Sequence, residues 1–133
     1  MPVEPTTSEL PRAAREALER HAWDEAFELF SRAEREADLS GRDLESLAEA
    51  AFFTAHADLG VEAKERAFKA YVADGDGIRA AFLALDLTQQ YAYRRKPSIA
   101  SAWLRRGERL VEGESENYTH GYVALRRGEG AMQ

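Results

Sequence analysis

The sequence contains no cysteine. That absence excludes a disulfide framework, a thiolate zinc site and a cysteine nucleophile together. No apolar run approaches the ~20 residues that a helix needs to cross a bilayer. The opening MPVEPTTSE has neither a basic start nor an apolar core, so no secretory leader is expected and a reducing cytoplasm is the expected setting. There is no phosphate-binding glycine loop, and no serine stands in a nucleophile elbow. His21, His56 and His120 form no His-xxx-His or His-xx-Glu pairing, so no metal site is expected. Asp74-Gly75-Asp76-Gly77 begins like a calcium loop but continues with Ile78, Ala80 and Leu85 where oxygen ligands are required. Glu45/Glu49 and Glu62/Glu65 have ordinary helix-surface spacing and no apolar enclosure to raise a pKa. The chain is therefore read as a non-enzyme without cofactor.

What is present is a folded-protein composition. Hydrophobic residues make up 44% and charged residues 32% of 133 residues, enough for a real core. Five Tyr, six Phe and two Trp argue against disorder. Net charge is −6, unevenly spread. Through Asp76 there are 18 acidic and 9 basic residues; from Gly77 onward there are 6 and 9. The net charge and the acidic front argue against nucleic acid, although Arg94, Arg95 and Lys96 with Arg105, Arg106 and Arg109, and Arg126 and Arg127 beyond, would be the residues to hold phosphates.

Residues 44–71 set the pattern. Leu47, Ala50, Ala51 and Thr54 recur at helical spacing, as do Ala63, Ala67 and Ala70 after a turn predicted at His56-Ala57-Asp58. Ala63-xxx-Ala67-xx-Ala70 recurs 37 residues upstream as Ala26-xxx-Phe30-xx-Ala33 and 37 residues downstream as Ala100-xxx-Leu104-xx-Gly107. Leu10, Ala13 and Ala14, then Leu47, Ala50 and Ala51, then Ala84, Leu87 and Thr88 follow the same period, and one more step reaches Gly121, Ala124 and Leu125. A fixed period of this size predicts stacked helical hairpins.

The expected architecture is all-α: an α-solenoid of three antiparallel hairpins plus a seventh helix. Residues 1–7 form a loose tail, repeats cover about 8–40, 41–75 and 76–113, a half repeat covers 116–127, and 128–133 fray. Ser8 is a candidate cap, with Pro11 tolerated in the first turn. Leu39-Ser40-Gly41 breaks the first pair from the second. Gly75 is a candidate left-handed cap, Asp76 caps the next helix, Pro97 opens the sixth, and Gly113 ends it.

Leu, small and aromatic positions alternating over paired helices resemble the tetratricopeptide repeat (TPR). Ala26-xxx-Phe30-xx-Ala33, opened by Asp24-Glu25, carries the resemblance best, over about residues 8–127. Leu10, Leu47 and Ala84 stand where the family has a first-helix aromatic, and Gly107 where it has Ala. More narrowly, Glu65-Arg66-Ala67-Phe68-Lys69-Ala70-Tyr71, the Gly75-Asp76 turn and Ser101-Ala102-Trp103-Leu104-Arg105-Arg106 resemble the TPR segment of bacterial LuxR-type and cyclase-linked transcriptional regulators. The resemblance implies a regulatory, non-catalytic scaffold.

In such arrays the first helix of each pair lines the concave side. That implies a groove of Arg12, Arg15, Glu45, Glu49, Phe52, His56, Phe82, Asp86, Gln89 and Tyr93, with Tyr122 and Arg126 from the seventh helix. Rings bordered by carboxylates suit a protein or peptide partner. The alternative is a small organic effector held between helices, as in a sensory domain. Trp103, Tyr71, Phe27 and Phe68 are expected to point mostly into the stack, and any that do not would favour a homodimer.

Overall fold

A computed structural model describes the backbone of residues 4–130 and the side chains through Gly113. Among the described residues it is all-helical, with six α-helices: α1 (Leu10–Glu19), α2 (Trp23–Glu36), α3 (Gly41–Phe53), α4 (Ala57–Ala73), α5 (Gly77–Tyr93) and α6 (Pro97–Gly130). No helix of the described residues is long and apolar enough to cross a membrane. The chain divides into two compact units, Met1–Ala70 and Tyr71–Gln133.

The helices are joined by one device used four times. After α1, α3, α4 and α5 a single residue takes a positive φ: His21, Ala55, Gly75 and Arg95. The next residue's N–H reaches back five positions, Ala22 to Ala17 O, His56 to Ala51 O, Asp76 to Tyr71 O and Lys96 to Tyr91 O, at 2.8–2.9 Å. This is the Schellman closure. The carbonyl of that same residue then accepts the first hydrogen bond of the following helix, from Ala26, Gly60, Ala80 and Ala100 respectively. One residue thus closes one helix and caps the next, which forces a tight reversal. Asp76 adds its side chain, accepting from Arg79 N at 3.1 Å. The α2–α3 connection differs: Ser40 is an extended N-cap whose Oγ accepts from Asp43 N at 3.1 Å.

His21 and Arg95 stand two repeat periods apart, and so do the ends of α1 and α5, Glu19 and Tyr93. One period beyond His21 is Asp58, yet the middle hairpin turns at Ala55. Its turn therefore comes early by close to one helical turn, and α4 is lengthened at its start. The predicted His56-Ala57-Asp58 turn is corrected to Thr54-Ala55-His56, and Ala57 and Asp58 belong to α4.

At the N-terminus a 3₁₀ turn, Thr7–Glu9, precedes α1, so Thr6 rather than Ser8 is the capping residue. Thr6 N–H donates to Glu9 Oε1 at 2.9 Å, and that bond holds the Glu9 carboxyl below its ordinary pKa. The predicted stop at Gly113 is also corrected. α6 passes through Gly113 and runs to Gly130, so the expected seventh helix is a continuation of the sixth. A lone glycine lowers helix propensity by about 1 kcal/mol but does not by itself end a helix.

In the first unit, α3 packs on both α1 and α2. Leu10, Ala14 and Ala17 of α1, Ala26, Phe30 and Ala33 of α2, and Leu44, Leu47, Ala48 and Ala51 of α3 are buried. Small residues allow this: a Cβ on Gly60 of α4 would stand 3.2 Å from the Ala48 carbonyl oxygen of α3. In the second unit α5 and α6 form a hairpin, and a Cβ on Gly107 would stand 3.2 Å from that of Ala84. Trp103 and Tyr71 are buried, and Phe27 and Phe68 half-buried. The second-helix aromatics are thus largely turned inward.

Candidate binding surface

In the first unit the helix ends carry a chain of rings. Trp23, the first residue of α2, stacks on Phe53, the last of α3, with centroids 4.3 Å apart and planes at 22°. His21 stacks on Trp23 at 5.4 Å, and Phe52 meets Phe53 edge-on at 5.3 Å. Phe27 stacks on His56 at 4.4 Å, nearly parallel, and His56 Nδ1 shares a 2.9 Å hydrogen bond with Thr54 Oγ1. Phe52 adjoins the Phe53–Trp23 stack by that one edge contact and remains 66% exposed, with Phe53 53% exposed beside it.

The other predicted residues of this unit separate by role. Arg12 and Glu49 are exposed, and Glu45 is half-buried. Arg15 is engaged: its Nη1 donates to both carboxylate oxygens of Asp43 at 2.8 and 2.9 Å, tying α1 to α3. Asp43 is buried, so Arg15 acts as a fastener between layers. Arg66 pairs with Glu34 in the same way between α4 and α2.

In the second unit Phe82 is 66% and Tyr93 91% exposed, Gln89 is exposed, and Asp86 is half-buried. Phe82, Gln89 and Tyr93 lie along one side of α5, at steps of seven and four. The side chains of Tyr122 and Arg126 lie outside the described residues. Arg106 lies over the Trp103 ring at 4.4 Å, which gives one member of the basic cluster a local partner. Among the described residues no group of acidic and histidine side chains is arranged to hold a metal ion.

One surface was not anticipated. Asp24, Glu25, Phe27, Glu28, Ser31 and Arg35 of α2, with Leu59 of α4, line a shallow open groove of about 640 Å³. Its signal was in the sequence: Asp24, Glu28, Ser31 and Arg35 recur at helical spacing as a polar stripe on the outer side of α2. Its mouth is solvated, and Arg20 already pairs with Glu25 at 3.2 Å.

No protein-family model matches the chain, and neither a curated protein nor a solved structure does.

Proposed function

We propose that this protein is a non-catalytic, TPR-like interaction module of a regulatory system, docking a protein segment along the first helices of its hairpins. The observation that carries this is Phe52, two-thirds exposed on α3 with its ring edge-on to Phe53, which in turn stacks on Trp23. Exposed aromatic side chains that become buried on association serve as anchors at protein interfaces. Phe82 provides a second ring with equal exposure on α5. The exposed Glu49 precedes Phe52 on α3, so the preferred segment is apolar with a basic flank. The effector-sensor reading requires an enclosure, whereas Phe82 and Tyr93 are open to solvent.

The test begins with a peptide selected on the wild-type protein from a random phage-displayed library. Phe52→Ala should weaken its affinity about tenfold or more, the loss of roughly 1.4 kcal/mol or above expected of an anchor residue. The side chain is exposed, so the fold should survive and circular dichroism should be unchanged. Unaltered affinity contradicts the proposal.

A further inference from the structure

The outer side of α2 carries charges that the chain itself does not use. α2 has seven charged residues. Four of them have partners: Glu25 with Arg20, Arg32 with Glu4, Glu34 with Arg66, and Glu36 with the Thr7 hydroxyl. The other three, Asp24, Glu28 and Arg35, make no ion pair and no side-chain hydrogen bond among the described residues, and all three line the groove. The Ser31 hydroxyl between them is equally unpartnered. Water satisfies exposed charges, so their freedom alone assigns nothing. Their order along the helix does.

Asp24, Glu28, Ser31 and Arg35 are spaced by four, three and four residues, which sets them in one stripe along α2. That spacing reads the same from either end, but the charge does not: one end is acidic and the other basic. A second α2 laid antiparallel across the stripe, about a two-fold axis between positions 29 and 30, sets Asp24 opposite Arg35 of the other copy and Glu28 opposite Ser31, each twice. The serine hydroxyl can donate to the carboxylate. Laid parallel and in register, the same stripe sets like charge against like. Ser31 is small and half-buried near the middle, so two helices can approach to the ~8–10 Å of ordinary packing. Phe27, half-buried, and Leu59 of α4, 47% exposed, line the same groove and give the contact its apolar part. A foreign partner would have to supply a cation at one end and an anion at the other. A second copy carries both at the required separation.

We infer that two copies of this chain pair through α2, antiparallel about a two-fold axis, with Asp24 of each against Arg35 of the other. None of these residues belongs to the docking surface at Phe52. Sedimentation velocity is run in about 0.15 M salt, where a screening length of ~8 Å damps the repulsion between two chains of net charge −6. The mass should rise with concentration from 14.9 kDa toward twice that value. Asp24→Arg and Arg35→Glu each set like charges together at both ends of the contact. Each should weaken the dimer about tenfold or more and leave a monomer. Both positions are exposed, so circular dichroism should show unchanged helical content. Mixed in equal amounts, the two variants are complementary at both ends, and a dimer containing one of each should form. A wild type that stays monomeric at several hundred micromolar overturns the inference. A dimer that persists in both variants overturns it too, since the contact would then lie on another face. So does a mixture that fails to pair while each variant alone is folded.

Discussion

Ala55 holds a left-handed backbone conformation, φ 65°, that costs an L residue about 1–2 kcal/mol. Ala55→Gly removes that cost and gives back part of it as unfolded-chain entropy. The expected net gain is about 0.5–1 kcal/mol, read as a higher midpoint in denaturant melts; a loss of stability would mean that Ala55 is not the closing residue of α3. Arg15 and Asp43 make the second residue-scale case. Asp43 is buried but the Arg15 side chain is 49% exposed, so solvent screening discounts the pair. A double-mutant cycle with Arg15→Ala and Asp43→Ala should return a coupling of about 1 kcal/mol. No coupling would remove the fastener between α1 and α3. The pattern of charges assigned Arg15 to an open groove because position on a helix says nothing of what the next layer brings opposite.

At the scale of the element, the helices and their buried small residues were legible because that spacing rests on volume. Positions fixed by the repeat period, such as Ala14, Ala51 and Ala84, are fully buried. Gly107 departs from the alanine of the TPR pattern because Ala84 lies against it. Turn positions were harder to read: the closure at Ala55 is set by backbone hydrogen bonds that an alanine advertises poorly, whereas Gly75 was readable from its residue type. Gly113 misled because glycine is equally at home in a cap and, at some cost, inside a helix. A Cβ there meets nothing within 4 Å, so Gly113→Ala should stabilise α6 by about 0.5–1 kcal/mol, measured by thermal denaturation. Destabilisation would restore the helix stop at that residue. The exposed face of the third hairpin gives a matched pair of expectations, both read in denaturant melts. Phe30→Ala should cost about 3–5 kcal/mol. Leu104→Ala, at a 39% exposed position, should cost only about 1 kcal/mol or less. Equal losses would mean that Leu104 is as deeply covered within one chain as Phe30.

For the whole molecule, what the chain meets rests on which surface is apolar and exposed together. Phe52 is both, and it lies beside the stack of Trp23 on Phe53, residues of different helices whose meeting no periodicity foretells. That is why the groove residues could be proposed from register while the reason for Phe52 could not. The rival surface is the α2 groove at Asp24, Glu28 and Leu59. The two are separated by titrating the library-selected peptide into isotopically labelled protein and following backbone amide shifts. The largest changes should centre on Glu49, Phe52 and Phe53. Changes confined to Asp24–Arg35 and Leu59 would contradict docking along the first helices and move the binding function to the outer side of α2.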